Sequence, residues 1–289
     1  MRAELLVDAQ ASLGEGPWWD ESSGQLYWVD INRPALHVFD AATGRDQSYN
    51  VGALVGTVVL GRSGAVYLAV KEGFARFDMV SGTLAYLARP ADHPTNNRFN
   101  DGKCSPEGRF WAGTMALAGA AGAGALYRLD PDHSCHTSLT GVTISNGLVW
   151  TADGGTMYYI DSPTRSVVAF PYDQASGALG EPRVVVDTAA VAGVPDGMAI
   201  DAEGKLWIAH FGGWAVRRWD PVDGALLAEV AVPAANVTAC AFGGPDLRTL
   251  YITTHGGDKP DKTGEPHAGG LFVVETGVQG TLAHRFADQ

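Results

Sequence analysis

One short motif recurs six times along the chain, and this repeat constrains the fold more than any other feature. A turn followed by an aromatic-rich segment appears as Gly24-Gln-Leu-Tyr-Trp-Val-Asp30, Gly64-Ala-Val-Tyr-Leu-Ala-Val70, Gly108-Arg-Phe-Trp-Ala-Gly113 and Gly155-Thr-Met-Tyr-Tyr-Ile-Asp161. It returns as Gly204-Lys-Leu-Trp-Ile-Ala-His210 and, with arginine in the glycine's place, as Arg248-Thr-Leu-Tyr-Ile-Thr-Thr254. The steps between these turns are 40, 44, 47, 49 and 44 residues. A period in that range marks a repeat architecture, in which each unit buries its faces against its neighbours.

The fifth repeat is the clearest. Asp196–Asp201, Lys205–Ala209, Ala215–Trp219 and Leu226–Val230 read as four short strands separated by glycine- and aspartate-bearing turns. Four antiparallel strands of about five residues within about 45 residues describe one propeller blade. Other repeats carry the same punctuation, as in Asp40-Ala-Ala-Thr-Gly44, Asp78-Met-Val-Ser-Gly82 and Asp173-Gln-Ala-Ser-Gly177. The expected fold is an all-β, six-bladed β-propeller of four-stranded antiparallel blades around a central channel. A single domain should span residues 1–289, with Glu4-Leu-Leu-Val7 completing the last blade. A β-sandwich does not predict a sixfold period, and an open solenoid would need capping repeats.

Composition narrows the function. A net charge of −12 with a pI near 5.0 opposes binding to nucleic acid or an anionic membrane. No apolar run approaches the roughly 18–20 residues of a membrane span. The start, Met1-Arg-Ala-Glu-Leu-Leu-Val-Asp8, is too short and too acidic for a signal peptide. Cys104, Cys135 and Cys240 are odd in number and far apart, so neither a disulfide framework nor a metal knuckle is expected. These features point to a cytoplasmic protein with reduced thiols, monomeric or weakly homo-oligomeric. Without a secretory signal, the sequon Asn236-Val-Thr238 carries no expectation of glycosylation.

The repeat also serves as a ruler. Stepping back eight to ten residues from each second-strand turn reaches Glu15, Gly56, Asn100, Asn146, Asp196 and Thr238. In a propeller these positions begin the strands lining the channel, so they meet at one mouth. Glu15, Asn146 and Asp196 are each followed by glycine, which permits a tight backbone path. Each polar residue taken alone fits a side chain bonded to its own loop. Two carboxylates and two carboxamides in one narrow mouth instead need a cation or ordered water to satisfy them. Glu15, Asn146 and Asp196 offer hard oxygen ligands, suited to a divalent cation that retains several waters. Calcium, magnesium and manganese fit that hardness, while iron(II) and zinc more usually add a histidine.

The strings Leu13-Gly-Glu-Gly-Pro17, Asn97-Arg-Phe-Asn-Asp-Gly-Lys103, Ala112-Gly-Thr-Met115, Ile144-Ser-Asn-Gly-Leu148, Tyr158-Tyr-Ile-Asp-Ser162 and Pro195-Asp-Gly-Met198 resemble the SMP-30/gluconolactonase family, in order, over residues 10–280. The resemblance implies a six-bladed propeller with one divalent metal at a channel mouth and hydrolysis of a small-molecule sugar lactone. It makes Glu15, Asn146 and Asp196 the counterparts of the metal ligands, and Arg98 and Asn100 those of a substrate-binding pair. One departure stands out: where animal sugar lactonases carry an acidic residue that helps hold the substrate, this chain has Ala118, within a Gly/Ala-rich stretch.

A lactone is a cyclic ester, opened by water at its carbonyl. A divalent cation can stabilise the developing oxyanion, and Asp196 is the candidate to take the proton from water. Strand alternation turns Arg98 and Asn100 to one side and Phe99 to the other. Promiscuous esterase or phosphotriesterase chemistry, or divalent-metal binding without turnover, are the alternatives. No nucleophile elbow, zincin pair, P-loop or dinucleotide fingerprint occurs. Asp30 and Asp161 read as turn-forming, His210 and His255 as structural or rim residues, and Trp18 and Trp19 as blade core.

Overall fold

The computed structural model describes residues 1–257 and 265–288. Six antiparallel sheets follow one another along the chain and form a six-bladed propeller. The innermost strands are Gly14–Asp20, Val55–Leu60, Asn97–Cys104, Ser145–Trp150, Val194–Ile200 and Val237–Gly243. The last blade consists of Val237–Gly243, Thr249–Thr254, Leu271–Glu275 and the N-terminal strand Glu4–Val7, which closes the ring. In the fourth blade the outer position is split. Ala178–Leu179 and Arg183–Asp187 both pair with Ser166–Asp173, so this sheet has five strands where four were expected.

Burial falls from the axis outward. Gly14–Asp20, Val55–Leu60 and Val237–Gly243 are buried throughout, whereas the outer strand Arg45–Asn50 is largely exposed. The repeated second-strand aromatics weld adjacent blades together. Tyr251 stacks on Trp19 with centroids 5.4 Å apart, Trp207 meets Phe242 edge-on at 5.5 Å, and Trp111 packs against Trp150 at 6.1 Å. Burying each such ring contributes about 1.5–3 kcal/mol. Trp18 and Trp19 therefore belong to the blade core, as expected.

All six inner strands slip register near their start. The pairing jumps between Glu15 and Trp18, Val55 and Thr57, Phe99 and Gly102, Asn146 and Leu148, Pro195 and Met198, and Val237 and Ala239. Each jump is a β-bulge that gives the inner strand one residue more than its partner, and bulges re-aim side chains and bend the strand. Every residue picked out by the sequence ruler lies in or beside one.

Gly56, Gly147 and Gly197 allow neighbouring blades to close at these bulges. A Cβ on Gly56 would sit 2.4 Å from the Asn100 carbonyl oxygen, and one on Gly147 would sit 2.8 Å from that of Asp196. A Cβ on Gly197 would meet the Ala239 Cβ at 2.6 Å. Gly16 adds a left-handed φ of +53°, which glycine adopts at little cost.

Candidate functional site

The first turn of the channel is a cavity of about 240 Å³. Glu15, Arg98, Asn100, Asn146, Asp196 and Ser162 supply its polar groups. Leu13, Met115, Ile144, Val194, Phe211 and His255 form the rest of the wall. All five residues singled out from the sequence thus meet in one place, delivered by blades one, three, four and five. The remaining two ruler positions are spent on packing. Gly56 admits the Asn100 backbone, and the Thr238 hydroxyl is engaged with the Gly14 carbonyl and Thr253.

A directed chain of hydrogen bonds fixes the amides. Arg98 Nη1 donates to the Phe99 carbonyl at 3.0 Å and to Asn100 Oδ1 at 2.6 Å. Asn100 Nδ2 donates to the Ser145 carbonyl and to Asn146 Oδ1, both at 2.8 Å. Asn146 Nδ2 donates to Ser162 Oγ at 2.7 Å, and that hydroxyl donates to the Pro195 carbonyl at 2.6 Å. The guanidinium therefore orients Asn100, Asn100 orients Asn146, and the relay ends on the residue before Asp196. Asn146 Oδ1 keeps one lone pair for another partner, since a carboxamide oxygen has two. Phe99 points away as alternation required, packing against Phe74 with centroids 5.1 Å apart.

The carboxylates are less settled. Glu15 Oε2 accepts the Gly16 N–H at 3.0 Å, whereas the buried Asp196 Oδ1 has no hydrogen-bond partner. Burial pushes the Glu15 carboxyl up to about 8, with nearby Asp101 adding to the rise. Burial raises Asp196 well above the usual carboxylate range, reinforced by Glu15 and then Asp101. Burial lowers the Arg98 guanidinium somewhat, an effect that Glu15 and Asp196 oppose. Unshared negative charge in a buried pocket costs stability unless a positive partner is supplied. A buried carboxylate oxygen without a partner, beside a second carboxylate and an oriented carboxamide oxygen, fits a hard divalent cation. Among the described residues, no trio of His, Cys, Asp or Glu converges as a metal cluster. The candidate set differs in having Asn146 as its third member.

Two contributors were not singled out from the sequence. Ser162 sits in a single 3₁₀ turn, Ser162–Thr164, and bridges blades four and five. Asp101 shares the blade-three bulge with Asn100; strict alternation would have turned it away from the channel's charges. Asp30 and Asp161 anchor the loops leading into their own inner strands. Asp30 accepts the N–H groups of Ser12 and Leu13, and Asp161 those of Thr143 and Ile144. His210 is buried opposite Pro195, and burial pushes it down to about 3. Ala118 is exposed and outside the cavity wall. No helix among the described residues is long and apolar enough to cross a membrane.

Comparison with known proteins gives a consistent result. A family profile described as the SMP-30/Gluconolactonase/LRE-like region matches residues 13–256. The chain is 42% identical over 281 residues to the Bacillus subtilis (strain 168) protein named "Putative sugar lactone lactonase YvrE", with 96% of each chain covered. It is 39% identical over 295 residues to regucalcin of Xenopus laevis, with 99% of each covered. It also superposes on a crystal structure of a calcium-binding protein, regucalcin, from Agrobacterium tumefaciens. There the TM-score is 0.92 at 29% identity, covering 98% of this chain and 97% of that one.

Proposed function

The chain belongs to the SMP-30/gluconolactonase/LRE-like family, and from that premise we propose that it is a hydrolase that opens sugar lactones to aldonic acids with the help of one divalent cation. The observation that carries this reading is the unpartnered, buried carboxylate oxygen of Asp196 in a cavity shared with Glu15, Asn146, Arg98 and Asn100. We read the whole span 1–289 as one domain with one such site.

Glu15, Asn146 and Asp196 would hold the cation. When bound, it supplies Lewis-acid polarisation of the lactone carbonyl. The Asp196 carboxylate takes a proton as water oxygen bonds to the carbonyl carbon. The ring C–O bond then breaks, and the proton passes to the departing ring oxygen, leaving a hydroxy acid. Arg98 keeps N–H groups beyond those given to Phe99 and Asn100, and these donate to substrate oxygens. Asn100 acts with Arg98 at the substrate, while its amide also holds Asn146 in place. The apolar wall excludes water from the faces of the substrate that do not react.

The test is to strip the protein with a chelator and reconstitute it with calcium, magnesium, manganese, iron(II) or zinc individually. Each form is assayed on xylono-, arabinono- and gluconolactone and on aryl esters. Restored hydrolysis of an aldonolactone is expected, and no cation-dependent lactonase activity on any member would overturn the reading. Activity confined to aryl esters or phosphotriesters would reassign the substrate class. A second reading, cation binding without turnover, draws on the likeness to a calcium-binding structure. The buried Arg98 in the cavity favours turnover, because a cation-binding site gains nothing from a guanidinium beside it.

A further inference from the structure

Asp101 is a third carboxylate at this site, and nothing described above gives it work. It is only 2% exposed, less than Glu15 or Asp196. Its Oδ1 accepts the Gly102 N–H at 2.7 Å, and its Oδ2 is buried with no hydrogen-bond partner. It occupies the bulge next to Asn100, where neither residue is paired across the sheet. After burial itself, Asp101 is the strongest influence raising Glu15, and it raises Asp196 as well. The three carboxylates do not converge on one point; Glu15 and Asp196 line the cavity and Asp101 does not, so it lies behind them.

The charges around the cavity give Asp101 a role. Arg98 bears on both Glu15 and Asp196, and Lys103 bears more weakly on Glu15. Without Asp101, two carboxylates would face two cationic side chains. Asp101 adds a third acidic side chain against those two cationic ones, and an added cation offsets the imbalance. A buried charge left unpaired is disfavoured, so this excess converts directly into attraction for a cation at the mouth.

We propose that Asp101 is a positioning residue for the cation: it acts from behind Glu15 and Asp196 as the acidic group that tips the charge balance of the pocket towards negative. This rests on the cation reading of the site. The test measures binding by titration calorimetry on chelator-stripped protein with Ca²⁺ and with Tb³⁺, comparing the unaltered chain with Asp101→Asn. Asparagine keeps the acceptor for Gly102 and removes only the charge. The expected Ca²⁺ affinity loss is about 10- to 100-fold, the range seen when groups behind metal ligands are altered. Coulomb attraction scales with ion charge, so the Tb³⁺ loss should be larger, by about half again in logarithmic units. A general disturbance of the fold would weaken both ions alike.

Should Asp101→Asn not fold, Lys103→Gln reverses the argument: both ions should bind more tightly, Tb³⁺ by the larger factor. Equal affinities in the unaltered chain and Asp101→Asn, equal losses for the two ions, or no tightening in Lys103→Gln would overturn the proposal. If the unaltered chain binds neither ion, the cation reading itself falls, and Asp101 falls with it.

Discussion

The two mouths of the channel are built from the same six strands and finish in opposite ways. Four residues along from Glu15, Asn100, Asn146, Asp196 and Thr238 stand Trp19, Cys104, Trp150, Ile200 and Phe242, about 13 Å away at strand rise. At that far mouth residues 280–288 lie across the opening. Thr281 donates to the Ile200 carbonyl, His284 bridges to Cys104, Phe286 to Gly61, and the Ala287 N–H donates to the Gly108 carbonyl. Arg285 binds Asp20 at 2.6 Å and stacks over Trp18, and Asp288 accepts bonds from Ser63 and Tyr67. These charged groups are matched. At the cavity Asp196, and behind its wall Asp101, each keep an oxygen without a partner. One end of a near-symmetric barrel of strands is covered by chain whose charged groups are paired; the other keeps buried carboxylate oxygens without a partner.

Exchanging the two properties should be possible one residue at a time. The largest effect is expected for Asp196→Asn at saturating cation, where loss of the proton acceptor should lower kcat by about 10²–10⁴-fold. Steady-state kinetics over a cation series checks this. If kcat returns to near normal at high cation, Asp196 is a ligand only. At the sealed mouth, Phe286→Ala should cost about 3–5 kcal/mol of stability, because Phe286 is fully buried beside Tyr67 and His133. Denaturant unfolding measures that loss. Turnover and cation affinity of the folded fraction should stay unchanged, and a drop in either would show that the two mouths are coupled.

Arg98→Ala should have a smaller effect, near 1.5–3 kcal/mol for a charge-assisted hydrogen bond, or roughly 10- to 150-fold in kcat/KM. Arg98→Lys should recover little of this, since an ammonium lacks the planar fork that reaches Phe99, Asn100 and substrate together. Unchanged KM and kcat for Arg98→Ala would remove its substrate role.

The sequence made the sealed mouth invisible and the open one largely legible, for one physical reason. Blades repeat, so a fixed offset in the sequence alone picks out Glu15, Asn100, Asn146 and Asp196. Residues 280–288 repeat nothing: their backbone makes isolated bridges to blades two, three and five and a single hydrogen bond to blade six, and no periodic pattern announces them. Asp101 was missed because period-2 alternation assigns neighbours to opposite faces, whereas the bulge leaves Asp101 close enough to bear on Glu15 and Asp196. Only the pairing register shows a bulge. Ser162 escaped because its role lies in joining two blades, which no single repeat contains. Gly56 looked like a ruler position lacking a ligand, yet it is where Asn100's backbone needs room.

The mildest test of the contrast is pH. Glu15 holds its proton up to about 8 in the folded chain, against an ordinary value of 4.5, and Asp196 is raised in the same direction. Between those values the folded state binds a proton that the unfolded state has lost, so stability falls as pH rises. His210, His93 and His284 are lowered by burial and act oppositely, but only below about 6.5, where the unfolded chain takes up their protons. From pH 6.5 to 8 the carboxylates therefore dominate, and the melting temperature of chelated protein should drop by a few degrees. Saturating cation should flatten that slope by pairing the ionised carboxylates, and Glu15→Gln should reduce it without cation. Phe286→Ala should lower the whole curve and leave the slope alone, because the carboxyls of Asp20 and Asp288 at the sealed mouth are both held below the usual range by their hydrogen bonds.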